Sequence, residues 1–176
     1  MMKVYAILPR YDEYKGYLVK EEEKARAQYG SARCKSQPLD WPAPLEIVAD
    51  EEDTGIPEAD IGLLTIGSLV LTEGAHTALR EVAEQYGQLL PLQYGTRTLW
   101  LWNITNVPGA LDKERSVFND FGGVANPVFS AAKVAENAVF KLQEDNFTGI
   151  YCTDTFRELI ESHNFSGLEF EELDVA

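Results

Sequence analysis

The run Arg97-Thr98-Leu99-Trp100-Leu101-Trp102-Asn103-Ile104-Thr105 constrains this chain more than any other. In an extended strand successive side chains point to opposite faces, so Leu99 and Leu101 share one face while Trp100, Trp102 and Ile104 share the other. Both faces are apolar, which predicts a central strand covered on both sides. Upstream, Gln88-Leu89-Leu90-Pro91-Leu92-Gln93 and a Tyr94-Gly95 turn complete a hairpin with it. A helix precedes the hairpin: Thr72 stands at the N-cap position, Ala75, Ala78, Leu79, Val82, Ala83 and Tyr86 recur on one helical face, and Gly87 is placed to end it.

The last third follows the same plan. Asn137 to Leu142 and Gly149 to Cys152 read as strands, and after Thr153 the positions Phe156, Leu159, Ile160 and His163 mark a second amphipathic helix. Leu168 to Leu173 then alternates as a strand with one wet face. Residues 72 to 93 and 153 to 173 therefore share threonine, helix, glycine and strand in that order, a pseudo-repeat of pattern more than of identity. Residues 20 to 60 differ, holding Pro38, Pro42, Pro44, Pro57 and the tetrad Asp50-Glu51-Glu52-Asp53, with little sustained apolar period. They read as a loosely structured connecting segment with a short strand at Leu45 to Val48. The expected fold is α+β: a mixed or mostly antiparallel sheet, two main amphipathic helices packed on it, and a loop-rich N-terminal third, forming a single domain over 1–176.

At 176 residues and 45% hydrophobic content the chain suits one globular domain. Its 15 basic and 29 acidic side chains give a net charge of −14, the wrong sign for a stand-alone nucleic-acid binder, so charged partners should be basic. The N-terminal apolar run ends at Pro9-Arg10, too short for a signal-peptide core, and no run approaches the roughly 20 residues of a membrane span. The expectation is a soluble, cytoplasmic protein without nucleic-acid or membrane partners. The glycosylation triplets at Asn103, Asn146 and Asn164 then carry no weight. Cys34 and Cys152 are too few and too far apart for a disulfide framework or a zinc site and read as reduced thiols.

The residues offer little catalytic chemistry. His76 and His163 lack metal-ligand spacing and read as a first-turn surface residue and a last-turn residue suited to the negative helix end. Cys152 ends an apolar strand, where a thiol behaves as a small core residue. The Asp50 to Gly55 loop fails the calcium-loop spacing because Ile61 stands where a glutamate is required. Phosphate-loop, dinucleotide and nucleophile-elbow patterns are absent, and no cofactor is expected. Two carboxylate pairs, Asp112 with Glu114 and Asp154 with Glu158, are the only nameable acid/base candidates, and both fit a turn and a helix start. Tyr94, Trp100 and Trp102 are either core or binding anchors. With the acidic loop Asp50, Glu51, Glu52 and Asp53 they form the candidate partner-binding set, so a binding module leads an enzyme.

The stretch Trp102-Asn103-Ile104-Thr105-Asn106-Val107-Pro108-Gly109-Ala110-Leu111-Asp112-Lys113-Glu114-Arg115-Ser116-Val117-Phe118 resembles the strand, Asn, Leu-Asp and Arg-Ser-x-Phe pattern of the bacterial family known as immunity protein eleven. Gly149 to Leu159 and Phe165 to Phe170 are similar to that family's closing strand, helix and strand, and Leu71-Thr72-Glu73 and Lys3 to Leu8 also fit. The likeness covers residues 60 to 173 well and 10 to 60 poorly, and departs from the family at Phe121 to Phe129, where the strand count stays open. It implies a non-catalytic protein encoded beside a polymorphic toxin, which it neutralises by occlusion, with a nuclease as the toxin activity suggested. No catalytic residue carries over. The alternatives are a small carboxylate-dependent hydrolase or ligand-binding accessory protein, and a structural protein acting through self-association.

Overall fold

Two sheets and two helices share one central core. The computed structural model describes all residues except 31–34 and 54. In chain order the elements are β1 (Val4–Pro9), β2 (Tyr17–Val19), α1 (Glu22–Gln28), β3 (Leu45–Ala49), β4 (Ile61–Thr65), β5 (Ser68–Leu71), α2 (Glu73–Tyr86), β6 (Gly87–Tyr94), β7 (Arg97–Ile104), β8 (Val117–Phe118), β9 (Val124–Asn126), β10 (Val128–Phe129), α3 (Ala131–Val134), β11 (Val139–Phe140), β12 (Tyr151–Thr153), α4 (Asp154–Ser162) and β13 (Leu168–Val175). One sheet runs β2-β3-β6-β7-β5-β4, a second runs β10-β13-β1-β12-β11, and β8-β9 forms a separate hairpin. Both larger sheets are antiparallel except for the pairs β3-β6 and β10-β13, so the fold is α+β with mixed sheets, as the sequence predicts. Among the described residues no helix is long and apolar enough to cross a membrane.

The pseudo-repeat has a structural meaning. In β5-α2-β6 the two strands lie on either side of β7 and antiparallel to it; in β12-α4-β13 the two strands flank β1 in the same way. Each unit is thus a strand–helix–strand crossover straddling an antiparallel third strand. Both helices press their apolar stripes into the space between the sheets, where Ala75, Leu79 and Ala83 of α2 meet Phe156 and Ile160 of α4, together with Tyr5, Leu71, Trp102 and Ile104. Thr72 and Thr153 occupy the N-cap positions, but their hydroxyls donate instead to Asp60 O (3.0 Å) and Asn137 O (3.4 Å). The threonines tie the helix starts to neighbouring loops. Gly87 has extended backbone, so its role is steric: a Cβ there would collide with the Asn103 carbonyl on β7, which it faces with no loop between α2 and β6.

The six-stranded sheet curls until its edge strands β2 and β4 meet, giving a nearly closed barrel. At this seam Gly62 faces Tyr17, and a Cβ on Gly62 would lie 2.9 Å from the tyrosine ring. Leu45, Ile47, Val70, Leu92, Leu99 and Leu101 fill the interior, while Trp102 and Ile104 point outward to the central core. Strand β7 is therefore covered on both faces in the alternation its sequence dictates. The pairing of Tyr94 with Arg97 leaves Gly95-Thr96 as the hairpin loop, one residue later than expected, with Gly95 at φ 58.

Residues 20 to 60 hold more than the expected short strand, which is present as β3. Helix α1 brings Ala25 and Tyr29 onto the barrel interior, Leu39 joins them, and Trp41 Nε1 donates to Pro91 O (2.9 Å). The outer face of the second sheet carries a smaller core of Val4, Leu111, Phe129, Phe140, Leu142 and Tyr151. Where the strand count stayed open, residues 121 to 129 hold β9 and β10.

Candidate functional site

Register places most of the candidate residues at one end of the barrel. Ile47 of β3 pairs with Tyr94, Tyr17 with Ala49, Ile61 with Leu71, and Leu71 with Trp100. The loop after β3, the β6-β7 turn, the approach to β4 and the first turn of α2 consequently converge on a single mouth. In that loop Asp50 Oδ1 accepts from the Glu52 amide (3.1 Å) and opens a 3-10 turn over Glu51–Asp53, leaving Glu51 and Glu52 exposed. The side chain of Asp53 lies outside the described residues.

Tyr94 is half-buried. Its ring meets Tyr17 edge-on at 5.3 Å and lies under the Arg97 guanidinium, 5.1 Å from the ring centre. Arg97 Nη2 donates to both oxygens of Glu58 (2.9 and 2.8 Å), and that hydrogen bonding raises its pKa. Burial, then the Glu58 carboxylate, pushes the Tyr94 phenol upward. Trp100, three residues along β7, stacks on His76 with ring centres 3.8 Å apart and planes 12° from parallel. Burial, followed by the Arg80 charge, lowers the pKa of His76. A cleft of about 570 Å³ lies beside this stack, lined by Thr72, Glu73, Thr96, Arg97, Thr98 and Trp100.

Trp102 is different. It is fully buried, its Nε1 donates to Ala83 O (3.1 Å) and its ring packs on Phe156, so it cannot contact a partner. Of the sequence candidates, Asp50, Glu51, Glu52, Tyr94 and Trp100 are brought toward the mouth. Glu58, Arg97 and His76 join them there through the ion pair and the ring contacts. Arg97 follows the turn and opens its strand with the one charge that strand carries, the signal that marks it; Glu58 sits in a segment without period and offers none.

The carboxylate pairs resolve into structural roles. Asp112 Oδ1 accepts from the amides of Glu114 (3.1 Å) and Arg115 (3.2 Å), closing a turn. Asp154 accepts from the Tyr5 hydroxyl (2.9 Å) and the Lys3 amide (3.3 Å) at the start of α4, while Glu158 is exposed. Among the described residues no three His, Cys, Asp or Glu side chains are grouped to hold a metal. Cys152 is buried and its thiol is pushed well up by burial; Cys34 lies outside the described residues. His163 caps α4, with Nδ1 3.0 Å from Leu159 O. The mouth offers carboxylates and aromatic faces on one surface, the chemistry that holds cationic side chains.

Compared with known families, the chain matches the immunity protein family (Imm11) over residues 5–175. No curated protein matches it.

Proposed function

Because the chain belongs to the immunity protein family (Imm11), we propose that it binds one cognate toxin domain in the bacterial cytoplasm and neutralises it by occlusion, without catalysis. The family match across nearly the whole chain carries this reading, and the charge refines it. A protein of net charge −14 is steered toward a basic surface, and a nuclease must present such a surface to its phosphates. The toxin is therefore a basic protein, with a nuclease as the activity best suited to an acidic occluder. Asp50, Glu51, Glu52, Tyr94 and Trp100 at the barrel mouth form the toxin-facing surface: the carboxylates guide the encounter and the half-buried rings supply contact area. The test is co-expression with the toxin encoded by the adjacent gene. Survival of the cells and co-purification of a salt-sensitive complex are expected; failure of both protection and complex formation sinks the reading.

A further inference from the structure

A second concave surface lies where the barrel meets the other sheet. It is a cleft of about 540 Å³ between the end of β1, the β4-β5 turn and the segment leading into β12. Its lip carries three of the largest exposed apolar or aromatic side chains of the molecule: Tyr11 and Ile66, each 70% exposed, and Leu8 at 41%. Leu63 and Ile150 continue the apolar wall, and Asp12, Glu13 and Glu169 stand at the opening beside Arg10, whose Nη1 donates to Glu13 (3.0 Å). Large apolar side chains gathered around one concavity mark a contact surface, in contrast to single exposed residues.

The wall is held in place at some expense. Lys141 is 2% exposed, and its ammonium donates to Gly67 O (2.6 Å) in the β4-β5 turn and Phe147 O (3.0 Å) in the turn before β12. With the Asp145 carboxylate near enough for the two charges to interact, this buried ammonium fastens together the two turns that form one side of the cleft. The second turn is also strained, because Asn146 (φ 57) and Phe147 (φ 60) are consecutive non-glycine residues in the left-handed region. Such a fixed wall keeps Ile66 and its neighbours in a preformed arrangement.

We propose that this cleft is the anchor pocket for the toxin domain, receiving an apolar side chain that projects from a lysine- or arginine-rich surface. The inference rests on the immunity reading above and names the contact that holds the partner. Its charge matches that partner: with Arg10 paired to Glu13, Asp12 and Glu169 leave the lip of the apolar floor net acidic. It lies at the opposite end of β4 from the barrel mouth, and one flank links the two: the segment of residues 10–15 runs from the cleft along β4, and the Lys15 amide donates to Pro57 O (2.9 Å), next to Glu58. Six residues span at most about 20 Å, whereas an interface of ordinary size takes about 800 Å² from each partner. One toxin domain can cover both.

The test uses the full chain and the purified, catalytically inactive toxin domain encoded beside it. Ile66→Lys and Tyr11→Ser alter exposed side chains, so both variants should melt as the parent does. Each should weaken toxin binding at least tenfold, chiefly through faster dissociation, whereas Glu51→Lys with Glu52→Lys should act on the association rate. If the parent protein forms no complex, the immunity reading falls and takes this proposal with it. If the parent binds and both cleft variants bind within twofold of it, the cleft assignment alone is overturned. Sedimentation showing a homodimer that Ile66→Lys disperses would also overturn it, by making a second copy the occupant.

Discussion

Trp100 and Trp102 sit two residues apart on one face of β7, yet their surroundings give them different work. Trp102 lies beneath α2 against Phe156 and is fully buried, so Trp102→Ala should destabilise the fold by about 3–5 kcal/mol, the usual range for a core tryptophan. Trp100 is nearer the mouth, and its stack on His76 contributes about 0.5–1.5 kcal/mol beyond burial. Trp100→Ala should therefore stay folded and lose about 2 kcal/mol or more of toxin affinity. Thermal melts of both variants beside a binding titration check the division, and equal melts for the two would contradict it. His76 adds a pH dependence with a definite sign. Its folded pKa lies below the ordinary 6.5, so on acidification the unfolded chain takes up the proton first. Its contribution is thus fully present above that value and is lost as the pH falls through the window down to the lowered folded pKa. His76→Phe keeps a ring against Trp100 and removes the proton. Melting temperatures followed from about pH 7.5 to about pH 5.5 should fall more steeply in the parent than in this variant.

At the scale of elements, barrel closure brings Tyr17 of β2 against Gly62 of β4. The Tyr17 ring fills the space that a side chain on Gly62 would need, and its buried hydroxyl has no hydrogen-bond partner among the described residues. Tyr17→Phe removes a desolvated group and breaks no bond, so stability should hold or rise by about 1 kcal/mol. Gly62→Val overpacks the seam and should cost about 1–3 kcal/mol. Denaturant titrations of both variants read the two signs directly, and a loss of stability in Tyr17→Phe would refute this account of the hydroxyl. The same elements show how much of the fold was legible in the sequence. The two-sided burial of β7 follows from alternation within nine residues, and α2 and α4 follow from helical spacing, because local periods need no knowledge of partners. The Tyr17–Gly62 seam joins residues 45 positions apart that carry no shared pattern, so closure was invisible. Residues 20 to 60 hide α1 because a single buried turn, Ala25 and Tyr29, leaves no periodic stripe. The candidate site was legible in part: the acidic loop and Tyr94 announce themselves by composition, whereas the cleft at Ile66 is assembled from four separate segments and has no linear signature.

For the whole molecule, the −14 charge and the apolar cleft make separable contributions to binding. A field of one sign acts before contact, raising the rate of productive encounters and losing strength as salt shortens the screening length to about 8 Å near physiological ionic strength. Glu51 and Glu52 are exposed on the loop after β3. Reversing both leaves the core, the Asp50 cap on the Glu52 amide and the barrel seam intact. The association rate should fall and its dependence on salt should flatten, while the dissociation rate changes little, because exposed charges at the edge of an interface act mainly on encounter. The cleft should behave in the opposite way, since Ile66 contributes only after the surfaces have met. Association and dissociation rates measured at several salt concentrations for the parent, the Glu51→Lys, Glu52→Lys pair and Ile66→Lys separate the two contributions. If the loop pair left association and its salt dependence unchanged, the acidic mouth would not be guiding the toxin.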